Sequence, residues 1–391
     1  MNRPNPLPDH SRSFRTSDRR RFLGSLATAL GAPLVFQDLL LKTGIFPSAL
    51  AQEALLKGWP GKEELRMLSD KPLNAEATAK LLDDEITPYS RHFVRNNGLI
   101  PDRARQGTLG DWSLTIDGEV NESLKFDLDA LKDTFSPHEA ALVIECGGNG
   151  RAGYYPKVGG NPWTLGAVGC ARYRGVRLKD VLRHAGVKSS AVYIGYYGED
   201  LTLSRESGKF PISRGVPIEK ALDENTMLAW EMKRIQVRDQ IHDGTKMTGT
   251  SYRVPKHPVA PGAKVPTEDM QIIQTMPVKS IITHPETGNS SQNGRNVRLR
   301  GHAWSGKGRV ARVDLSYDFG ATWTQASLSN PVNAFAWQRW ELGLKLPVTG
   351  YYEIWARATD ITGGMQPMLV PGWNPKGYLN NAAHRIAVRV A

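Results

Sequence analysis

The residues best suited to chemistry lie in one stretch, Ala141 to Tyr155, which reads ALVIECGGNGRAGYY. The apolar run Ala141-Leu142-Val143-Ile144 ends in Glu145-Cys146, and Gly147, Gly148, Asn149, Gly150 and Arg151 follow. Such a run bounded by glycines reads as a strand entering a tight loop. Glycines let the backbone take positive φ and come close to something large. A cysteine at the mouth of that loop could serve as a thiolate, either as a metal ligand or as a nucleophile. Arg151 could hold the thiolate form or an anion beside it. A lone Cys-Gly-Gly is more often a buried cysteine beside a polar turn, so the remaining chain has to decide between these readings.

The elements that must position this loop come in two groups. Lys57 to Asp84 is polar with short helical stretches such as Ala75 to Leu82, and Tyr89 to Pro101 reads as an extended arm. Trp112 to Val120 alternates as a strand with an Asp117-Gly118 turn, and Leu128 to Phe135 is a short helix. Leu178, Val181, Leu182 and Ala185 share one helical face, with Gly186 as the stop. Val192 to Tyr197 is a strand; Ile218 to Met232 is helical, then strand-like. Arg238 to Met270 is loop, rich in proline. After Val278, the segments Val297 to Trp304, Val310 to Tyr317, Trp337 to Leu342 and Tyr351 to Ala358 alternate as strands, and Asp318-Phe319-Gly320 is a hairpin turn. Their spacing suits a β-sandwich of immunoglobulin type. The fold class is therefore α+β, followed by a sandwich from about Met276 onward.

Composition narrows the function. The 391 residues allow two or three domains, and 38 Gly with 25 Pro argue against a helical bundle. The net charge is +11; without the first 51 residues it is +7, from 43 Lys+Arg against 36 Asp+Glu. That balance suits a small anion or an acidic protein partner. With no basic helix, zinc spacing or aromatic RNA-binding motif, no nucleic-acid partner is expected. Two cysteines, Cys146 and Cys170, are too few for a disulfide framework. They could pair in an oxidising compartment, but Cys146 as a ligand and Cys170 as a small buried residue ranks ahead.

At the start, Arg19-Arg20-Arg21-Phe22-Leu23 precedes an apolar segment from Gly24 to Phe36, and Ala49-Leu50-Ala51 gives a small-x-small cleavage pattern. The apolar part is too short for a membrane span. The arginines before Phe-Leu resemble a twin-arginine export signal rather than an ordinary secretion signal. The expectation is a leader over 1–51 and a periplasmic mature protein beginning near Gln52.

Several segments together resemble one family. Glu145-Cys146-Gly147-Gly148-Asn149-Gly150-Arg151, Trp163-Thr164, the run Ala171 to Leu182 and the arm Phe93-Val94-Arg95-Asn96-Asn97 resemble the molybdenum domain of sulfite oxidases and sulfite dehydrogenases. Ala303-Trp304-Ser305-Gly306, Trp323, Trp337-Gln338-Arg339-Trp340 and Trp373-Asn374-Pro375-Lys376-Gly377 resemble that family's dimerisation domain. The likeness covers nearly the whole mature chain. It implies a leader over 1–51, a molybdopterin-binding α+β domain over 52–276 and an immunoglobulin-like dimerisation domain over 277–391.

The resemblance also implies a site. Cys146 would be the protein ligand to molybdenum, which also carries the dithiolene of a pyranopterin; a soft thiolate suits a redox metal with sulfur ligands. Arg95, Arg151, Tyr252 and Lys376 would form the anion pocket for sulfite, with Lys376 standing where the family usually has arginine. Asn96, Glu145, Gly147, Asn149 and Trp163 would border the cofactor. After Met232 the family pattern continues through a His-Gly-x-Pro-x-Arg segment that this chain lacks, and with it a cationic clamp on the pterin. With no Cys-x-x-Cys-His, electrons are expected to leave to a separate c-type cytochrome. The implied activity is periplasmic sulfite oxidation by a homodimer. Runner-up readings are the molybdenum subunit of a thiosulfate-oxidising complex, a methionine-sulfoxide reductase, which normally lacks the sandwich, and a cofactor-deficient dimeric module.

Overall fold

The computed structural model describes residues 56, 59–102, 106, 111–206, 208–228, 232–291 and 294–391. The proposed leader with Arg19 and Arg20 lies outside them. No helix among the described residues is long and apolar enough to cross a membrane.

The first strands form a small antiparallel sheet: β1 (Arg66–Ser69), β2 (Asn74–Glu76) and β3 (Val94–Arg95), in that order. The run Ala75 to Leu82, expected to be helical, is instead β2 followed by a single 3-10 turn at Lys80–Leu82. Pairing decides this: Arg66 faces Glu76 in one register and Asn74 faces Arg95 in the other, so both edges of the triplet are taken up by partners. Tertiary pairing overrides a weak local preference.

Next come β4 (Ser113–Gly118), β5 (Leu124–Asp127), α1 (Leu128–Thr134), β6 (His138–Glu145), β7 (Val168–Gly175), α2 (Leu178–Ala185), β8 (Tyr193–Gly198), β9 (Ser213–Pro217), α3 (Ile218–Ala221) and β10 (Met232–Arg238). Five strands make a mixed sheet ordered β5-β4-β10-β8-β9, with β10 parallel to β4 and antiparallel to β8. Helix α2 buries Leu178, Val181, Leu182 and Ala185 against Leu114, Ile116 and Ile235. Gly186 ends α2 in the left-handed conformation at φ 69°, as the sequence pattern requires. Only four residues of the expected helix after Ile218 form; a turn follows, in which the Asn225 N–H donates to Asp223 Oδ1 (2.8 Å), and Leu228 N–H donates to Val176 O (2.9 Å).

The 238–270 stretch is mostly irregular, with β11 (Arg253–Pro255) pairing β12 (Met270–Ile272). The sandwich follows: β13 (Lys279–His284), β14 (Ser290–Ser291), β15 (Asn296–Trp304), β16 (Val310–Ser316), β17 (Thr324–Gln325), β18 (Ser327–Leu328), β19 (Gln338–Lys345), β20 (Gly350–Asp360) and β21 (His384–Val390). One sheet runs β13-β15-β19-β18 and the other β14-β21-β20-β16-β17. Inward residues of both, among them Leu299, Val313, Leu315, Trp340, Ile354 and Ile386, form one core.

The hairpin of β6 and β7 carries the Cys loop. Val143 faces Cys170 and Glu145 faces Val168, so the pairing continues to the last residue before Cys146. A third apolar cluster, including Leu65, Leu82, Val168, Cys170, Trp304 and Trp337, packs this hairpin between the first sheet and the sandwich. That three-way packing sets where the Cys loop points.

Candidate active site

Cys146 leaves β6 half-buried, and its thiol is free. Its backbone is pinned on both sides: Cys146 N–H donates to Ala167 O (2.9 Å), and Asn149 N–H donates to Cys146 O (2.8 Å). Gly150 turns the loop at φ 88°, a conformation costly for a side-chain-bearing residue. At Gly148 an added Cβ would lie 2.4 Å from the Arg151 guanidinium, so this glycine makes room for Arg151.

Glu145 and Asn149 hold the loop from inside. The Glu145 Oε1 accepts from Asn149 Nδ2 (3.0 Å) and from Lys279 Nζ (2.5 Å), and its Oε2 accepts from Trp304 Nε1 (2.8 Å). Asn149 Oδ1 accepts from Ala167 N–H (3.1 Å). Both ends of each side chain are therefore used. The two residues expected to border a cofactor turn their polar ends to the loop and to the sandwich, where Lys279 and Trp304 reside.

The C-terminal tail wraps the loop from outside. Leu379 N–H donates to Gly147 O (3.0 Å), and Asn380 Nδ2 donates to Gly150 O (2.7 Å). Arg151 donates from Nε to Lys376 O (2.8 Å) and from Nη1 to Asn161 O (3.0 Å). Its guanidinium carbon lies 5.3 Å from the centre of the Tyr378 ring. Asn374 fixes the turn by accepting from Tyr378 N–H (3.0 Å) and donating to Tyr154 Oη (3.1 Å). Lys376 thus touches Arg151 through its carbonyl, while its ammonium makes no hydrogen bond or ion pair among the described residues.

The arm supplies the other cation. Arg95, on β3, donates to Asn96 O and to Asn97 Oδ1 (2.9 Å). Asn96 is bound within the first sheet: its N–H donates to Asn74 Oδ1 (2.9 Å) and its Nδ2 to Leu73 O (2.8 Å). Trp163 is fully buried, edge-on to Phe93 at 6.3 Å, and its Nε1–H has no hydrogen-bond partner.

Tyr252 links the two cationic groups. Its ring stacks on Tyr378 at 5.4 Å and 18°, and the Arg214 guanidinium lies over it at 3.2 Å. Arg151 thus contacts Tyr378, Tyr378 stacks on Tyr252 and Arg214 lies over Tyr252, with Arg95 and Lys246 near Arg214. The structure therefore brings Arg151 and Lys376 together at the Cys loop, and Arg95 together with two cations that sequence reasoning missed. Tyr378 was missed as well, although it directly follows the Trp-Asn-Pro-Lys-Gly tail. Arg214 and Lys246 carried no sequence signal; they lie in unremarkable polar runs 32 positions apart.

Geometry of this kind can fix an anion near a thiolate. Burial pushes the Tyr378 phenol upward, and the Tyr252 ring beside it pushes the same way, so that hydroxyl stays protonated as a donor. Burial pushes the Cys170 thiol up to about 11, which keeps it a neutral packing group.

Comparison with known proteins identifies two domains in this chain. The oxidoreductase molybdopterin binding domain family matches residues 99–240, and the Mo-co oxidoreductase dimerisation domain family matches 270–391. Chicken (Gallus gallus) sulfite oxidase is 31% identical over 376 residues, covering 86% of this chain and 80% of its own. Rat (Rattus norvegicus) mitochondrial sulfite oxidase is 32% identical, covering 83% of this chain and 66% of its own. Among solved structures, the sulfane dehydrogenase SoxCD from Paracoccus pantotrophus superposes with a TM-score of 0.65 at 22% identity, over 90% of this chain and 98% of that one. This last likeness is one of fold.

Proposed function

This chain belongs to the sulfite oxidase family of molybdopterin oxidoreductases, and from that premise we propose that it is an exported enzyme oxidising sulfite to sulfate. Overall, sulfite and water give sulfate, two protons and two electrons, and the electrons pass singly to a separate c-type cytochrome.

The residues fit the cofactor. Cys146 offers an uncommitted thiol. Trp163 holds a buried N–H with no partner among the described residues. At Gly147 an added Cβ would meet only Tyr378, at 3.8 Å, so the loop backbone can be approached closely there. Cys146 would ligate the metal, with Trp163 and the Gly147 backbone bordering the pterin. When bound, the group supplies two-electron oxygen transfer to sulfur. The chain's own residues bind and orient: Arg95, Arg151 and Lys376 attract the dianion, and the Tyr252 hydroxyl donates toward its oxygens. A cofactor-free module would leave the Trp163 N–H unsatisfied, at a cost of about 1–3 kcal/mol.

The observation that carries the reading is the tail's grip on the loop. It places the Lys376 backbone against Arg151, on the same loop as the free Cys146, with the ammonium unpartnered among the described residues. The test is sulfite-dependent reduction of cytochrome c by the purified protein. Activity should be present in wild type, lost in Cys146→Ser and kept in Cys170→Ser. A dead Cys170→Ser with an active Cys146→Ser would overturn the assignment.

Two parts of the proposal concern the rest of the chain. Arg19 and Arg20 direct export to the periplasm, so changing both to lysine should leave the protein in the cytoplasm; unchanged periplasmic yield would refute the twin-arginine route. The sandwich pairs two copies, so light scattering should give twice the chain mass; a mass of 43.2 kDa or less at every concentration would refute the homodimer.

A further inference from the structure

Around Tyr252 three cations lie near one another: Arg214 over its ring, and Arg95 and Lys246 on one shared acceptor. Arg214 lies on β9. Its Nη1 donates to Ser213 O (2.8 Å) and contacts Met247 Sδ (3.5 Å), while its Nη2 is buried without a hydrogen-bond partner. Lys246 comes from the 238–270 loop, at a left-handed φ of 62° that a lysine rarely adopts. Its Nζ donates to Asn97 Oδ1 (3.0 Å), the same oxygen that receives Arg95 Nη2 (2.9 Å). Two full positive charges thus share one neutral acceptor.

The arrangement is fixed by backbone. Ser213 N–H donates to Thr245 O (3.0 Å), and Ser213 Oγ donates to the same oxygen (3.1 Å). His242 Nε2 lies 2.9 Å from Ser213 Oγ and its Nδ1 lies 2.9 Å from Arg238 Nη1. These contacts hold the neighbours Arg214 and Lys246 in place although neither makes a hydrogen bond or ion pair to a carboxylate among the described residues. An acid facing Lys246 and Arg95 is Asp200; burial pushes its carboxyl upward while Lys246 and Arg95 pull the other way. Burial pushes the Arg214 guanidinium down, with Arg95 adding a smaller push the same way against the opposing pull of the Tyr252 and Tyr378 hydroxyls; burial, Arg95 and then Arg214 push Lys246 down, with Asp200 opposing. Stacking on Tyr252 explains where the Arg214 plane lies. It does not explain a buried N–H without an acceptor, nor three like charges held close.

We propose that Arg95, Arg214 and Lys246 form one receptor for a tetrahedral oxyanion carrying two negative charges. A guanidinium fork and an ammonium suit such a group, whose oxygens can accept from several directions at once. Within the sulfite-oxidising reading, on which this inference rests, two molecules carry that chemistry. One is the sulfite or sulfate of the reaction; the other is the phosphate end of the pterin, whose usual cationic clamp this chain lacks.

The test uses the purified full-length holoenzyme with inorganic sulfate as the probe, followed by calorimetry, with molybdenum and pterin content measured on the same samples. Arg214→Gln and Lys246→Gln should each weaken sulfate binding roughly 10-fold or more. Arg214→Lys, which keeps the charge, should recover part of the loss, and it serves where Arg214→Gln fails to fold. Weakened binding with unchanged pterin content assigns the site to the reacting oxyanion. Loss of pterin and molybdenum in the same variants assigns it to the cofactor phosphate. Wild-type sulfate affinity together with full pterin content in Arg214→Gln or Arg214→Lys and in Lys246→Gln overturns the proposal. If wild type binds sulfate through Arg214 but never oxidises sulfite, the functional reading falls while the receptor stands.

Discussion

The Cys146 loop meets charged residues on two sides, and the two sides are built differently. Toward the sandwich, Glu145 accepts from Lys279, Trp304 and Asn149, and both ionic side chains are almost fully buried at 2% and 7% exposure. Toward the arm, Arg95 and Lys246 face the carboxylate of Asp200, Arg214 lies near both cations, and the Lys376 ammonium has no partner among the described residues. The first side is complete as it stands. The second has donors and charge left over. A charge balanced within the protein serves architecture, whereas buried donors left open mark where something else binds.

Breaking the balanced side should cost stability most. Lys279→Met leaves the Glu145 carboxylate buried without its cation, and about 3–5 kcal/mol should be lost. Thermal denaturation checks this; Glu145→Gln combined with Lys279→Met should recover a large part. Equal melting temperatures for wild type and Lys279→Met would show that the pair does not anchor the loop.

A pH effect of similar size belongs to the sandwich. His384 is buried and its Nδ1 accepts from Ile282 N–H (2.9 Å), which requires the neutral ring; burial holds its pKa down at about 4. His302, stacked on Trp337 at 4.1 Å, is likewise held at about 4 by burial. The unfolded chain binds these protons near pH 6.5 and the folded chain only near 4. Stability from each is therefore complete above pH 6.5 and lost as pH falls toward 4, by about 3 kcal/mol per histidine. Denaturant titrations at pH 7 and pH 4.5 should show this fall, and it should shrink in His384→Gln.

The open side should respond in binding rather than stability. Arg95→Gln removes one charge and, with the receptor holding the reacting oxyanion, should cost about 1.5–3 kcal/mol of anion binding, a roughly 10- to 150-fold rise in KM for sulfite with molybdenum content unchanged. An unchanged KM would make Arg95 an ordinary arm residue. The smallest effect belongs to Cys170→Ser: the site is fully buried and packed, so stability should fall by about 1 kcal/mol with activity retained.

The same contrast explains what could be read from sequence. Helix α2 was legible because its apolar stripe and Gly186 are local features, and the sandwich strands were legible because they alternate. The β6 strand and the Cys loop were legible from one apolar run and its glycines. Ala75 to Leu82 was not, since β1 and β3 hold Asn74–Glu76 as a strand from outside. The arginines and lysine of the open side were legible only where a family motif carried them. Arg214 and Lys246 become neighbours through the Ser213–Thr245 contact, a backbone pairing that leaves no mark in either local sequence. Glu145 and Asn149 were expected to border the cofactor, but their polar ends turn to the loop and the sandwich, a direction that depends on Lys279 and Trp304, more than 100 positions away.

The most direct measurement is the molybdenum and pterin content of purified wild type and Cys146→Ser. Wild type should carry about one molybdenum per chain together with pterin, and the serine variant should lose sulfite oxidation because a hydroxyl is a poor substitute for a soft thiolate ligand. Wild type without molybdenum when produced in a host that makes the cofactor, or a Cys146→Ser variant that still oxidises sulfite at the wild-type rate, would contradict the role given to this loop.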